Sequence, residues 1–65
     1  FASGTDKIAQ KVIEEAGETA LAGVGKNKEN TIGEISDLIY HLLVMMSNLD
    51  ITPTDIWSEL KNRSK

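Results

Sequence analysis

Apolar positions along the chain recur at intervals of three and four, and glycine and proline separate three such runs. Gly4 precedes the first run, Gly23 and Gly25 close it, and Pro53 opens the last. No stretch alternates with period two and no hairpin signal is present, so the pattern predicts an all-α chain of three helices. The first helix is expected from about Asp6 to Ala22, capped by Thr5, with Asp6 at the positive end of its dipole. Ile8, Val12 and Ala16 line one face, widened by Ala9, Ile13 and Ala20. Lys7, Lys11, Glu14 and Glu18 form a separate polar stripe, and Glu15 lies between the two. Gly17 sits inside the helix, where glycine costs about 1 kcal/mol against alanine. A close helix contact there would account for it.

The second helix is expected to begin between Lys28 and Ile32 and to reach about Asn48. Asn27 is one candidate cap, and Thr31-Ile32-Gly33-Glu34 also reads as a capping box. Its apolar set is Ile32, Ile35, Leu38, Ile39, Leu42, Leu43, Met45, Met46 and Leu49, nearly half of the circumference. A surface helix of a small monomer carries a narrower stripe. The width calls for packing on two sides, which so short a chain cannot supply, and a dimer is expected. The third helix has the clearest start: Thr52 as cap, Pro53 in the first helical position, Asp55 in the third, and Ile51 and Ile56 placed as a hydrophobic staple. Tyr40, Trp57 and Phe1 read as packing residues, and Met45 and Met46 as core filler.

The 65 residues correspond to a single small domain, residues 1–65, near the lower limit for folding alone. Domains this small lean on disulfides, a metal or a partner subunit. There is no cysteine, which excludes disulfides and thiolate metal sites and leaves a partner, an oxygen-ligated metal, or both. A net charge of −3 argues against nucleic acid as partner. The longest apolar run, Leu42 to Met46, is far too short for a membrane span, and no signal peptide is visible. The cytoplasm is therefore the expected compartment. Phe1 in place of an initiator Met suggests part of something longer.

Two acidic pairs carry the chemistry. Glu15 and Glu18 are three apart on the first helix, and Glu34 and Asp37 three apart on the second. Such pairs share a face. A short connection makes the two helices antiparallel neighbours, so the pairs can converge at their seam. Converging carboxylates repel, and a hard cation, Mg²⁺ or Mn²⁺, relieves that repulsion with carboxylate and water oxygens as ligands. The plain alternative is a solvated acidic stripe, in which Glu14 pairs with Lys11 or Lys7 and Glu34 serves a cap. His41, four residues after Asp37, is either a contact to substrate or a partly buried histidine with a hydrogen bond. Lys7 and Lys11 can meet phosphate oxygens beside a metal, or simply solubilise the helix. No glycine-rich phosphate loop is present, so any phosphate chemistry depends on metal ions.

Gly4-Thr5-Asp6-Lys7-Ile8, Lys11-Val12, Glu14-Glu15-Ala16 and Glu18 resemble the first motif of the phosphoribosyl-ATP pyrophosphohydrolases, all-α, MazG-like enzymes of histidine biosynthesis. Glu34, Asp37-Leu38 and Tyr40-His41-Leu42-Leu43-Val44 resemble their second motif, and the resemblance runs from Ser3 to about Arg63. It implies Mg²⁺-dependent cleavage of phosphoribosyl-ATP to phosphoribosyl-AMP and pyrophosphate. It places Glu15, Glu18, Glu34 and Asp37 on the metal-binding carboxylates and Glu14 on an acidic position beside them. With Glu15, Glu14 is then a candidate for the base that takes the proton of an attacking water. Lys7, Lys11 and His41 fall on family-typical positions and are candidates for substrate binding. The resemblance also implies a homodimer in which helices of two chains intertwine in one bundle, and it allows fusion to, or association with, phosphoribosyl-AMP cyclohydrolase. Ile13 stands where the family usually has glycine, Gly17 where alanine is common, and the family's N-terminal helical segment has no counterpart before Phe1. Two other functions compete with this one: a house-cleaning nucleoside triphosphate pyrophosphohydrolase of the same superfamily, and a non-catalytic helical dimerisation module.

Overall fold

The computed structural model describes residues 4–64. Three helices follow one another, α1 (Gly4–Gly25), α2 (Lys28–Asn48) and α3 (Pro53–Arg63), and no strand occurs among the described residues. α1 runs three residues beyond its expected end at Ala22, because Gly23 and Gly25 both stay helical. The turn falls on Lys26, which takes the left-handed conformation at φ 60° and donates its N–H to the Gly23 carbonyl. Asn27 follows at once as the α2 N-cap, its side chain accepting from the Asn30 N–H at 2.9 Å. Only two residues therefore separate α1 from α2, which forces an antiparallel hairpin.

Two expected caps are corrected. Thr5 lies inside α1, where its hydroxyl donates to the Asn48 side-chain oxygen at 2.9 Å and so closes the far end of the hairpin. Thr31 lies in the first turn of α2, its hydroxyl 2.8 Å from the Asn27 carbonyl and 3.1 Å from that of Ala22. Asn27 has taken the cap, so Thr31 is free to bind α1 to α2 and Glu34 is free of any capping duty. The α3 start is as expected: Thr52 caps it, Asp55 completes the capping box and Pro53 stands in the first turn.

Only α1 and α2 pack along their length. The positions that turn inward follow a heptad-like rhythm, with Ile8, Val12, Glu15, Thr19 and Ala22 on α1 and Thr31, Glu34, Leu38, His41 and Met45 on α2. Half of these are polar. The large apolar side chains mostly lie outside the seam: Ile13 is 73% exposed, and Ile35, Ile39 and Leu43 are also exposed. Ala22 is the one buried hydrophobic residue among those described. Of the α1 face expected from Ile8, Val12 and Ala16, the first two turn inward as expected, whereas Ala16 and Ala20 lie on the surface and Glu15 takes the inside position. A methyl group at Gly17 would meet nothing within 4 Å, so no close contact within the chain explains that glycine. Tyr40 and Trp57, expected as packing residues, are 62% and 64% exposed, and Phe1 lies outside the described residues.

The hairpin consequently has two unlike sides. At about 100° per residue, Ala9, Ile13, Ala16 and Ala20 of α1 fall on the same side as Ile35, Ile39, Leu42 and Met46 of α2. Lys7, Glu14, Glu18, Asp37, Tyr40 and Val44 fall on the other. Every residue of α3 is exposed, including Ile56, Trp57 and Leu60. No helix is long and apolar enough to cross a membrane among the described residues.

Candidate functional site

The antiparallel register places the acidic pairs opposite each other. Thr19 sets their spacing, since its hydroxyl lies 2.7 Å from the Glu15 carbonyl in its own helix and 3.0 Å from the Glu34 carbonyl across the seam. Around this tie, Glu15, Glu18 and Glu34 each offer a carboxylate oxygen, and the three atoms lie within 4.8 Å of one another. Glu15 is 7% exposed, the one buried charged residue among those described, and Glu34 is half-buried. Oε1 of Glu15 and Oε1 of Glu34 are both buried without a hydrogen-bond partner. An unpaired buried carboxylate oxygen is costly. Burial first, and then the charges of Glu18, Asp37 and Glu15, hold the Glu34 carboxyl above its ordinary range.

Three carboxylates that repel one another, two of which carry a buried, unpaired oxygen, form a donor set suited to a hard divalent cation. The residues present therefore fit a metal of that type. Asp37 is exposed and lies outside the 4.8 Å group, although its charge reaches Glu34.

The other oxygen of Glu15 faces a different set of groups. Its Oε2 is 3.7 Å from the Lys11 ammonium and 3.9 Å from His41 Nε2. Glu15 thus divides its carboxylate between the acidic nest and a basic neighbourhood. Glu14 turns toward solvent, its two oxygens taken by the Gln10 amide at 3.1 Å and by Lys11 at 3.4 Å. The hydrogen bond from Lys11 and the Glu14 charge hold the Lys11 ammonium above its ordinary range. Beyond Lys11 an open cavity of about 220 Å³ is lined by Lys7, Ile8, Lys11, Tyr40, His41 and Val44. Lys7, Lys11 and His41 are thereby gathered around one groove that adjoins the nest through Glu15. Tyr40 joins them there, and reading it as a packing residue missed this. Its place next to His41 and four before Val44 was the available signal.

An all-α hairpin with a carboxylate nest for a hard cation at its seam and lysines along the adjoining groove defines the class. It is a helical protein whose acidic centre fits a hard divalent cation. The family model for phosphoribosyl-ATP pyrophosphohydrolase matches residues 1–64, and the chain belongs to that family. It is similar to the phosphoribosyl-ATP pyrophosphatase of Saccharolobus solfataricus, with 50% identity over 62 residues, covering 95% of this chain and 66% of that protein. It is also similar to the histidine biosynthesis bifunctional protein HisIE of Campylobacter jejuni, with 51% identity over 65 residues, covering 100% of this chain and 31% of the relative. The bifunctional protein of the same name from Buchnera aphidicola is 52% identical over 62 residues, covering 95% of this chain and 30% of the relative. The chain thus spans about a third of the length of these bifunctional relatives. No solved structure matches it.

Proposed function

We propose that the chain hydrolyses phosphoribosyl-ATP to phosphoribosyl-AMP and pyrophosphate, the second step of histidine biosynthesis, with Mg²⁺ held by Glu15, Glu18 and Glu34 and supported by Asp37. Mn²⁺ has the same ligand preferences and is the natural substitute. The observation that carries this reading is the convergence of three carboxylates from two helices, with two oxygens buried and unpaired. A solvated acidic stripe would keep its carboxylates in water. Glu15 is instead folded into the seam, which weighs against a non-catalytic dimerisation module. The family membership and the names of the relatives favour phosphoribosyl-ATP over the substrates of the house-cleaning enzymes.

The chemistry follows from where the side chains sit. Glu15, Glu18 and Glu34 would hold the cation, which would supply charge neutralisation for the anhydride phosphates and a more acidic water. Glu15 links the two halves of this arrangement, because its Oε2 lies near Lys11 and His41 while its Oε1 is buried and unpaired. A carboxylate is the candidate to take the proton of the attacking water. Glu15 stands at the nest for this purpose, whereas Glu14 communicates with it only through Lys11. Lys7 and Lys11 supply the cations that a chain of net charge −3 needs in order to receive a polyphosphate.

The apolar side of the hairpin is assigned to a second copy of the chain, giving a helical bundle of two hairpins. One buried hydrophobic residue is too little interior for an independent 65-residue fold. The same face leaves the nest and the groove open, because they lie on the opposite side. The bifunctional relatives further support linkage to, or association with, phosphoribosyl-AMP cyclohydrolase. The test is product analysis with phosphoribosyl-ATP and Mg²⁺. Pyrophosphate with phosphoribosyl-AMP is expected, and orthophosphate as the only phosphate product would overturn the reaction.

A further inference from the structure

We propose that Tyr40 is a substrate-binding residue, its ring forming the wall against which the purine of a nucleotide lies while the nucleotide's phosphates reach the carboxylate nest. This inference rests on the hydrolase reading above and deepens it. Tyr40 is 62% exposed and lines the groove together with Lys7, Ile8, Lys11, His41 and Val44. Trp57 is as exposed, so exposure alone does not set Tyr40 apart; its place on the groove does. Here the ring is braced, with its centroid 5.1 Å from that of His41 and the two planes at 76°, an edge-to-face arrangement. His41 is itself held in the seam beside Glu15, with Nε2 3.9 Å from Oε2. Glu15 therefore connects the nest to the groove, and His41 connects Glu15 to Tyr40.

The groove has the chemistry of a nucleotide half-site. Ile8 and Val44 give it an apolar floor, Tyr40 an aromatic wall, and Lys7 and Lys11 a cationic edge. A flat, polarisable ring attached to anionic groups matches all three, because aromatic side chains stack on nucleobases and lysines meet phosphate oxygens. The groove continues past Ile8 and Val44 to Ser47 and Asn48, where a second cavity of about 270 Å³ opens. A substrate extended along the seam thus has room on the side of Tyr40 away from the acidic nest. Because the ring is already oriented by His41, stacking orders little that was free before.

The test compares Tyr40→Ala and Tyr40→Phe with the unaltered chain, using phosphoribosyl-ATP and Mg²⁺. Tyr40→Ala is expected to raise KM by roughly 5- to 100-fold, the loss of one base–aromatic stack, with kcat little changed. Tyr40→Phe keeps the ring and is expected to stay near the starting KM. An unchanged stabilisation by Mg²⁺ in Tyr40→Ala separates a substrate contact from damage to the nest. A second measurement needs no turnover: adenosine is titrated while the Tyr40 and His41 ring protons are followed by NMR, against ribose 5-phosphate as the comparison. Shifts of both rings with adenosine, with the His41 shift lost in Tyr40→Ala, support the assignment. Shifts with ribose 5-phosphate alone, or equal KM values for Tyr40→Ala and the unaltered chain, overturn it. If the unaltered chain releases no pyrophosphate, the reaction assigned above falls, and the adenosine titration still decides the role of Tyr40.

Discussion

Oε1 of Glu15 and Oε1 of Glu34 are buried at the α1–α2 seam with no hydrogen-bond partner, brought there from opposite helices. Without a cation, this relationship opposes folding. A ligand that binds only the folded chain stabilises it by RT ln(1 + [L]/Kd), about 2.7 kcal/mol at a hundred times Kd. In a domain of this size roughly 1 kcal/mol moves Tm by about 4–8 °C. MgCl₂ is therefore expected to raise Tm saturably and well beyond NaCl at equal ionic strength, and Glu18→Gln is expected to lose most of that difference together with turnover. Equal shifts in the two salts would dissolve the converged site, since screening alone accounts for them.

A second expectation concerns pH. Burial, reinforced by Glu18, Asp37 and Glu15, raises the Glu34 carboxyl above its ordinary value of 4.5. The folded chain then holds this proton more tightly than the unfolded chain does. The resulting contribution to stability is fully present below the ordinary value and is lost as pH rises through the raised one. In EDTA, Tm followed by circular dichroism should decline across that window, and Glu34→Gln should decline less. Parallel profiles for the two proteins would show that Glu34 titrates normally.

The apolar side of the hairpin makes a prediction about assembly. Ile39 is 51% exposed in the single chain, so an aspartate there costs the isolated hairpin little. Buried against a second copy, the same charge would be unpaired and expensive. Ile39→Asp is expected to dissociate the dimer in equilibrium sedimentation and, through mass action, to lower Tm. A native chain that sediments as a folded monomer at micromolar concentration would refute the dimer.

Gly17 offers a measurement on α1. It lies inside the helix with nothing within 4 Å of the position a methyl group would take. Gly17→Ala should stabilise the chain by about 0.5–1 kcal/mol, visible as a rise in Tm of several degrees. Destabilisation instead would mean that another molecule approaches the helix at that point.

The three helices, the Thr52–Asp55 capping box and the convergence of Glu15 and Glu18 with Glu34 were legible in the chain, because local spacing governs them. A three-residue step places two side chains on one face wherever the helix lies, and a short connection leaves two helices little choice but to run antiparallel. The rotation of the helices about their own axes was not legible. Periodicity expected Ile8, Val12 and Ala16 to face inward; Ile8 and Val12 do, but Ala16 gives way to Glu15. The hydroxyls of Thr5, Thr19 and Thr31 bind α1 to α2 at three levels and turn Glu15 and His41 into the seam. Those hydroxyls meet acceptors far away in the sequence, which no local pattern encodes. The same rotation leaves Ile35, Ile39 and Leu43 outside and sets Tyr40 on the groove rather than in a core. The sequence by itself thus determined which residues form helices and that carboxylates of α1 and α2 can meet, though Asp37, expected among them, lies outside the group. Only the tertiary structure decided which side of each helix is the inside, because that depends on contacts between the helices and not on the spacing within either one.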